Sequence, residues 1–288
     1  MSLCSGYEFM KLADICIDRI NISSDIKQNL KYLMYIEHYD KNDINILKTA
    51  NIIYFPTKDI DIIFNKFYQY FNNNITIITH NSDYHISDRT DENLILINCM
   101  SYLNLPKIKK WYAQNTLIKH AKLYTIPIGI ANIQYKHGNQ KLLCDIKNKN
   151  FDKDNLIYIN FDLGNGKKYN IRNSIYNILF KNNYKKDTYG LNQIDYLEKL
   201  AKSKYVISPP GNGIDCHRIW ECIFLGTIPI VQRNICFEQY KNIPILFVND
   251  WNEINDDLLY KSYDKLYNLF NNIDIVYIDY WKNHIRLI

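Results

Sequence analysis

The stretch that most limits how this chain can fold is residues 205–233, YVISPPGNGIDCHRIWECIFLGTIPIVQR. It reads as an apolar strand, a glycine turn, a short helix and a second apolar strand. Two unalternating apolar strands joined through a helix belong in a parallel sheet covered on both faces. Gly211, Asn212 and Gly213 carry the chain from the first strand into the helix. Such a turn brings backbone N–H groups to a helix N-terminus, a place suited to an anionic ligand.

The helix is expected over residues 215–225, closed by Gly226. At about 100° per residue, His217, Arg218 and Glu221 share an arc of about 100°. Ile219, Trp220, Cys222, Ile223 and Phe224 fill the rest, so the helix is buried nearly all round. Buried ionisable groups need partners. Either these three pair among themselves at i,i+3 and i,i+4 spacing, or a ligand completes them.

The segment resembles the motif of exostosin-like glycosyltransferases: Pro210, Gly211, any residue and Gly213, then Asp215, His217-Arg218, Trp220-Glu221 and, after Gly226, Ile228-Pro229. A Glu on a helix leading to an Ile-Pro strand is also similar, more distantly, to the α-fucosyltransferases. Upstream, Trp111, Tyr112, Ala113, Gln114 and Asn115 followed by Ile126, Pro127, Ile128 and Gly129 resemble a second element of small relatives of this group. The likeness runs over residues 51–250 and is strongest at 205–231. It implies a GT-B type α/β fold, two doubly wound Rossmann-like lobes facing across a cleft, and transfer of a sugar from a nucleotide donor.

A chain of 288 residues has room for two cores. Short apolar runs at 51–57, 75–79, 94–99 and 123–128 alternate with helical patterns at 59–71 and 107–114, and a second series follows. Its strands are expected at 156–162, 186–189, 205–208, 227–232 and 243–248, its helices at 170–181, 193–202 and 215–225. Two helices, 8–20 and 25–39, are expected ahead of the first strand. The polar stretch 131–155 reads as a connection with a peripheral element, and 252–270 as a terminal helix. We therefore expect an acceptor-side domain at 1–135, a nucleotide-sugar domain at 136–252, and a tail at 253–288 that returns to the first domain.

Composition narrows the class of function. Lys plus Arg at 35 against Asp plus Glu at 30 gives +5, spread without a basic block, which argues against a nucleic-acid partner. Seven scattered cysteines without a Cys-x-x-Cys pair suit a reduced, cytoplasmic, soluble protein. No apolar run has the roughly 18 residues of a spanning helix. This is a departure from the exostosin relatives that carry an N-terminal anchor.

The resemblance implies a phosphate-binding arginine where Arg172 opens a helix, with Arg218 and the turn of Gly211, Asn212 and Gly213 as a second element. Lys167 and Lys168 either assist or form a solvated surface. Glu221 suits ribose or donor-sugar hydroxyls, and His217 phosphate or sugar. An inverting enzyme needs a base. Asp83 is the first choice, with His80 and His85 behind it; alternatively Asn81, Ser82 and Asp83 make only a turn. Trp111, Gln114 and Asn115 either line the acceptor side or pack in the core. The chain lacks a complete phosphate-binding loop motif and an Asp-x-Asp at a donor position, so no cofactor and no obligate metal is expected. The expected partners are a nucleotide-sugar donor, UDP-linked by preference, and a glycan or glycoprotein acceptor. A catalytically silent nucleotide- or glycan-binding module is the competing class.

Overall fold

Most strands of the two principal sheets are buried along most of their length. The computed structural model describes residues 1–18, 32–34, 41–164, 171–187, 190–240 and 242–286. The chain divides into two units, Met1–Ile128 with Tyr277–Ile288, and Gly129–Val276.

The first unit runs α1 (Gly6–Met10), β1 (Ile15–Asp18), β2 (Tyr32–Met34), α2 (Lys41–Thr49), β3 (Ile52–Pro56), α3 (Ile60–Phe67), β4 (Ile75–His80), β5 (His85–Ser87), β6 (Leu96–Asn98), α4 (Met100–Leu103), β7 (Ile108–Ala113) and β8 (Leu123–Thr125). Its main sheet has the order β2-β1-β3-β4-β7-β8, with every pair parallel. One face, including Ile53, Phe55, Ile77 and Trp111, packs on Ile60, Ile63, Phe64 and Phe67 of α3. At the β4 end, Phe9 of α1 stacks on His80 with ring centroids 5.4 Å apart and meets Trp281 edge-on at 5.9 Å. Trp281 belongs to the helix Ile278–Arg286. Tyr112 donates to the His284 carbonyl at 3.0 Å, and Arg286 donates from Nη2 to the Leu12 carbonyl at 2.8 Å.

Two expected helices in this unit are strands. Within residues 8–20, α1 is capped by Ser5 and ends at Met10, after which Ile15 and Cys16 pair with Ile53 and Tyr54. Residues 107–114 become β7, inserted between β4 and β8. The helix expected over 25–39 lies outside the described residues except for Tyr32–Met34, which is β2.

The second unit runs α5 (Gln140–Asn148), β9 (Asn155–Tyr158), α6 (Arg172–Lys181), α7 (Gln193–Ala201), β10 (Ser203–Ile207), α8 (His217–Phe224), β11 (Ile228–Gln232), β12 (Leu246–Val248) and α9 (Asp256–Tyr267). The sheet order is β12-β11-β10-β9, again all parallel. Tyr205, Ile207, Ile228, Ile230 and Val248 pack with Ile175 and Leu179 of α6 and Leu259 of α9. α7 contacts β10 and α8 contacts β11. Each of the two units is thus an α/β unit built on a parallel sheet.

The expected boundaries shift. The first unit ends at Ile128, and the stretch read as a connection holds α5, whose Leu143 and Ile146 are buried. The tail does not return as a whole, because Leu259 of α9 belongs to the core of the second sheet; only the chain from Tyr277 joins the first unit. Lys186 and Asp187 are not in a strand, although Asp187 N–H donates to the Ile159 carbonyl at 2.8 Å. Among the described residues no helix is long and apolar enough to cross a membrane.

At the amino edge of this sheet a lysine is enclosed. Lys153 donates to the Ala201 carbonyl at 2.7 Å, to Thr227 Oγ1 at 2.7 Å and to the Leu225 carbonyl at 3.2 Å. It caps the ends of α7 and α8 together. Gly226, with φ of 73°, takes the left-handed step that ends α8, and the Thr227 N–H then returns to the Cys222 carbonyl at 2.9 Å.

Candidate functional site

The carboxyl edge of a parallel sheet is where strands turn into helix N-termini and where ligand groups collect. In the second unit that edge gathers the residues of the 205–233 segment. After β10 the chain turns through Pro209 and Pro210 to Gly211, whose N–H donates to the Gly213 carbonyl at 2.9 Å. Asn212 is the exposed tip. Arg172, the first residue of α6, is buried and reaches to this turn. Its Nε donates to the Pro210 carbonyl at 2.9 Å and its Nη1 to the Asp162 carbonyl at 3.0 Å. A Cβ on Gly211 would stand 3.4 Å from Arg172 Nη2, in ordinary contact, so the guanidinium lies directly against the turn.

Asp215 is not a ligand group. Its buried carboxylate accepts from Trp220 Nε1 at 2.8 and 3.0 Å and so fixes the entry into α8. The next residue, Cys216, reports on its surroundings: burial pushes its thiol up to about 11, while Arg218 and, further down in effect, Arg172 pull it back. His217 packs its Nδ1 on the Gly129 carbonyl at 2.7 Å, so Nδ1 carries the proton that is donated. Its ring lies 6.1 Å from that of His137.

Arg218 and Glu221 meet through a third residue. Arg218 Nε donates to the Tyr196 hydroxyl at 3.2 Å, and that hydroxyl donates to Glu221 Oε2 at 3.0 Å. Tyr196 comes from α7, which Asn192 caps by accepting from the Asp195 N–H at 2.9 Å. The sequence gives no sign of it: its partners are 22 and 25 residues away. Burial raises the Glu221 carboxyl above the usual range, and the Tyr196 hydrogen bond and the Arg218 charge oppose that rise. The Tyr196 phenol is raised well above its ordinary value, first by burial and then by the Glu221 charge, so it stays protonated. Tyr158, at the end of β9, is pushed up to about 12, mainly by burial, with Arg218 among the charges acting on it.

The first unit uses its candidates differently. His80 is buried and committed at both nitrogens: Nδ1 accepts from the Asn81 N–H at 2.7 Å, and Nε2 donates to the Pro127 carbonyl at 3.0 Å. These two bonds fasten the ring between β4 and the Pro127 carbonyl. His85 is buried within β5. Trp111 is fully buried against Phe64, ring centroids 5.6 Å apart, and donates from Nε1 to Thr79 Oγ1 at 3.0 Å. It belongs to the core, as do the buried Gln114 and Asn115. Gln114 Nε2 donates to the Ser82 carbonyl and steadies the loop after β4. Asn115 takes φ of 53° and its carbonyl accepts from the Ile86 N–H at 3.1 Å. In that loop Ser82 Oγ accepts from the Tyr84 N–H at 3.3 Å, a turn of the expected kind, and Asp83 stands exposed on it. Lys167 and Lys168 lie outside the described residues. Among the described residues no three His, Cys, Asp or Glu side chains group as ligands of a metal ion.

Residues 167–269 match the family described as the RXYLT1 C-terminal domain, a span that takes in most of the site just described. A solved structure, described as a glycosyltransferase from Rickettsia africae ESF-5, aligns over 96% of this chain and 94% of its own with 13% identity and a TM-score of 0.47. No curated protein matches the sequence. The family match supports glycosyl transfer as the general class of chemistry for the second unit.

Proposed function

We propose that this protein is a glycosyltransferase that binds a nucleoside diphosphate sugar, UDP-linked by preference, at the carboxyl edge of the second sheet, and transfers the sugar to a hydroxyl of a glycan or glycoprotein. The observations that carry this are Arg172 bonded to the glycine turn before α8 and, on α8 itself, Arg218 joined to Glu221 through the Tyr196 hydroxyl. Fixed guanidinium groups and a helix N-terminus are what a departing diphosphate needs. Glu221 offers an acceptor to donor hydroxyls. In the inverting, metal-independent route, the acceptor oxygen forms its bond to the anomeric carbon as the bond to the phosphate oxygen breaks. The electron pair leaves with the diphosphate, and the hydroxyl proton passes to Asp83.

A second reading, a nucleotide- or glycan-binding module without turnover, gains from the engagement of His80, Trp111 and Gln114 inside the first unit. Thermal melting with UDP, GDP, CDP and ADP, followed by turnover of the matching sugar nucleotides, separates the two. A bound nucleotide raises the melting temperature in proportion to the logarithm of its concentration over Kd. We expect UDP to raise it, Arg218→Ala to remove most of the rise, and Asp83→Asn to keep the rise while losing transfer. If none of the four moves the melting temperature, the nucleotide site is wrong. If they bind and no sugar nucleotide is turned over, the binding module is right.

A further inference from the structure

Arg218 and Glu221 are three residues apart on α8, where opposite charges ordinarily close into a direct ion pair. Here the Tyr196 hydroxyl stands between them, accepting from Arg218 Nε at 3.2 Å and donating to Glu221 Oε2 at 3.0 Å. The direction of this chain is fixed. A guanidinium only donates, so the phenol must accept from it and spend its one proton on the carboxylate. Arg218 also lies over the Tyr196 ring at 5.9 Å, which restricts the plane of the guanidinium. Among the described residues, this chain of bonds engages Nε of Arg218 and one oxygen of Glu221.

We propose that Tyr196 is a positioning residue for the donor: its hydroxyl keeps Arg218 and Glu221 from neutralising each other, so that the terminal nitrogens of the one and the second oxygen of the other remain for a nucleoside diphosphate. This rests on the glycosyltransferase reading of the same site. Without the hydroxyl, the two charges on α8 fall together and the pair turns away from the ligand. The ring itself is not needed for that effect, which makes Tyr196→Phe the informative change.

Calorimetric titration with UDP on the full chain tests it through a double-mutant cycle of Tyr196→Phe and Arg218→Ala. In the native background, Tyr196→Phe weakens UDP binding about tenfold, the scale of one charge-assisted hydrogen bond. In the Arg218→Ala background the same change has no further effect, since it acts through the arginine. Melting curves without ligand check that Tyr196→Phe is folded, and Tyr196→His, which retains a ring donor, recovers part of the affinity. An equal loss in both backgrounds means that Tyr196 only packs, and the inference falls although the donor site stands. If the native protein binds neither UDP nor GDP, CDP or ADP, the site reading fails and takes this inference with it.

Discussion

Glu221 is a buried carboxyl with an arginine near it but not on it, and its titration follows from that. Burial raises it above the ordinary glutamate value, so the folded state takes up a proton at a higher pH than the unfolded chain does. Stability from this group is therefore gained as the pH falls through the folded-state value and withheld above it. Glu221→Gln has no such term. We expect the unfolding free energy of the wild type, relative to Glu221→Gln, to rise as the pH is lowered from neutrality towards the ordinary glutamate range, measured by urea denaturation. A difference that stays flat would mean that Glu221 is ionised without strain. At this scale the sequence shows His217, Arg218 and Glu221, because their spacing on one helix is local. It does not show Tyr196, one tyrosine among 25, because the contact joins two helices. Nor does it show that His80 is fastened to the Pro127 carbonyl, 47 residues on.

The elements of the second unit are largely readable, since most of its strands centre on an apolar run such as Tyr205–Ile207 or Ile228–Val231. β7 was not. Ile108, Trp111 and Tyr112 stand at helical spacing around two lysines, while the strand lies inside a sheet where both faces are covered and no period of two remains. Lys153 is the element-scale device that no pattern announces. It holds the carbonyls that end α7 and α8, and burial lowers its amine to about 8. Lys153→Met leaves those acceptors without a donor and should cost about 2 kcal/mol, seen as a fall in the denaturation midpoint. Between about 8 and 10.5 the unfolded chain keeps a proton that the folded protein has released, so native stability rises with pH over that window. The gap between wild type and Lys153→Met should accordingly widen from pH 8 to pH 10. A gap that shrinks would show that the ammonium, not the amine, is the preferred form in the fold.

At the scale of the molecule, two alternating series of strands and helices announce two α/β units, whereas the points where the chain changes unit do not stand out. Those points are set by which core a helix enters. Leu259 goes to the second sheet, and Trp281 meets Phe9 of the first. The polar run after Ile130 misleads because α5 is amphipathic and buries only Leu143 and Ile146.

Residues 129–276 form one unit from a single continuous stretch, whereas the other unit is made from the stretches before and after it in the sequence. During synthesis the continuous unit can close once residue 276 has emerged, whereas the discontinuous one must wait for residues 277–288. Released as separate polypeptides, residues 129–276 should resist protease alone, and 1–128 should do so only when a peptide of 277–288 is supplied. If 1–128 resists unaided, the closing helix is an ornament. If it does not, ribosome-bound nascent chains will show residues 129–276 ordered while residues 1–128 are still open to chaperones.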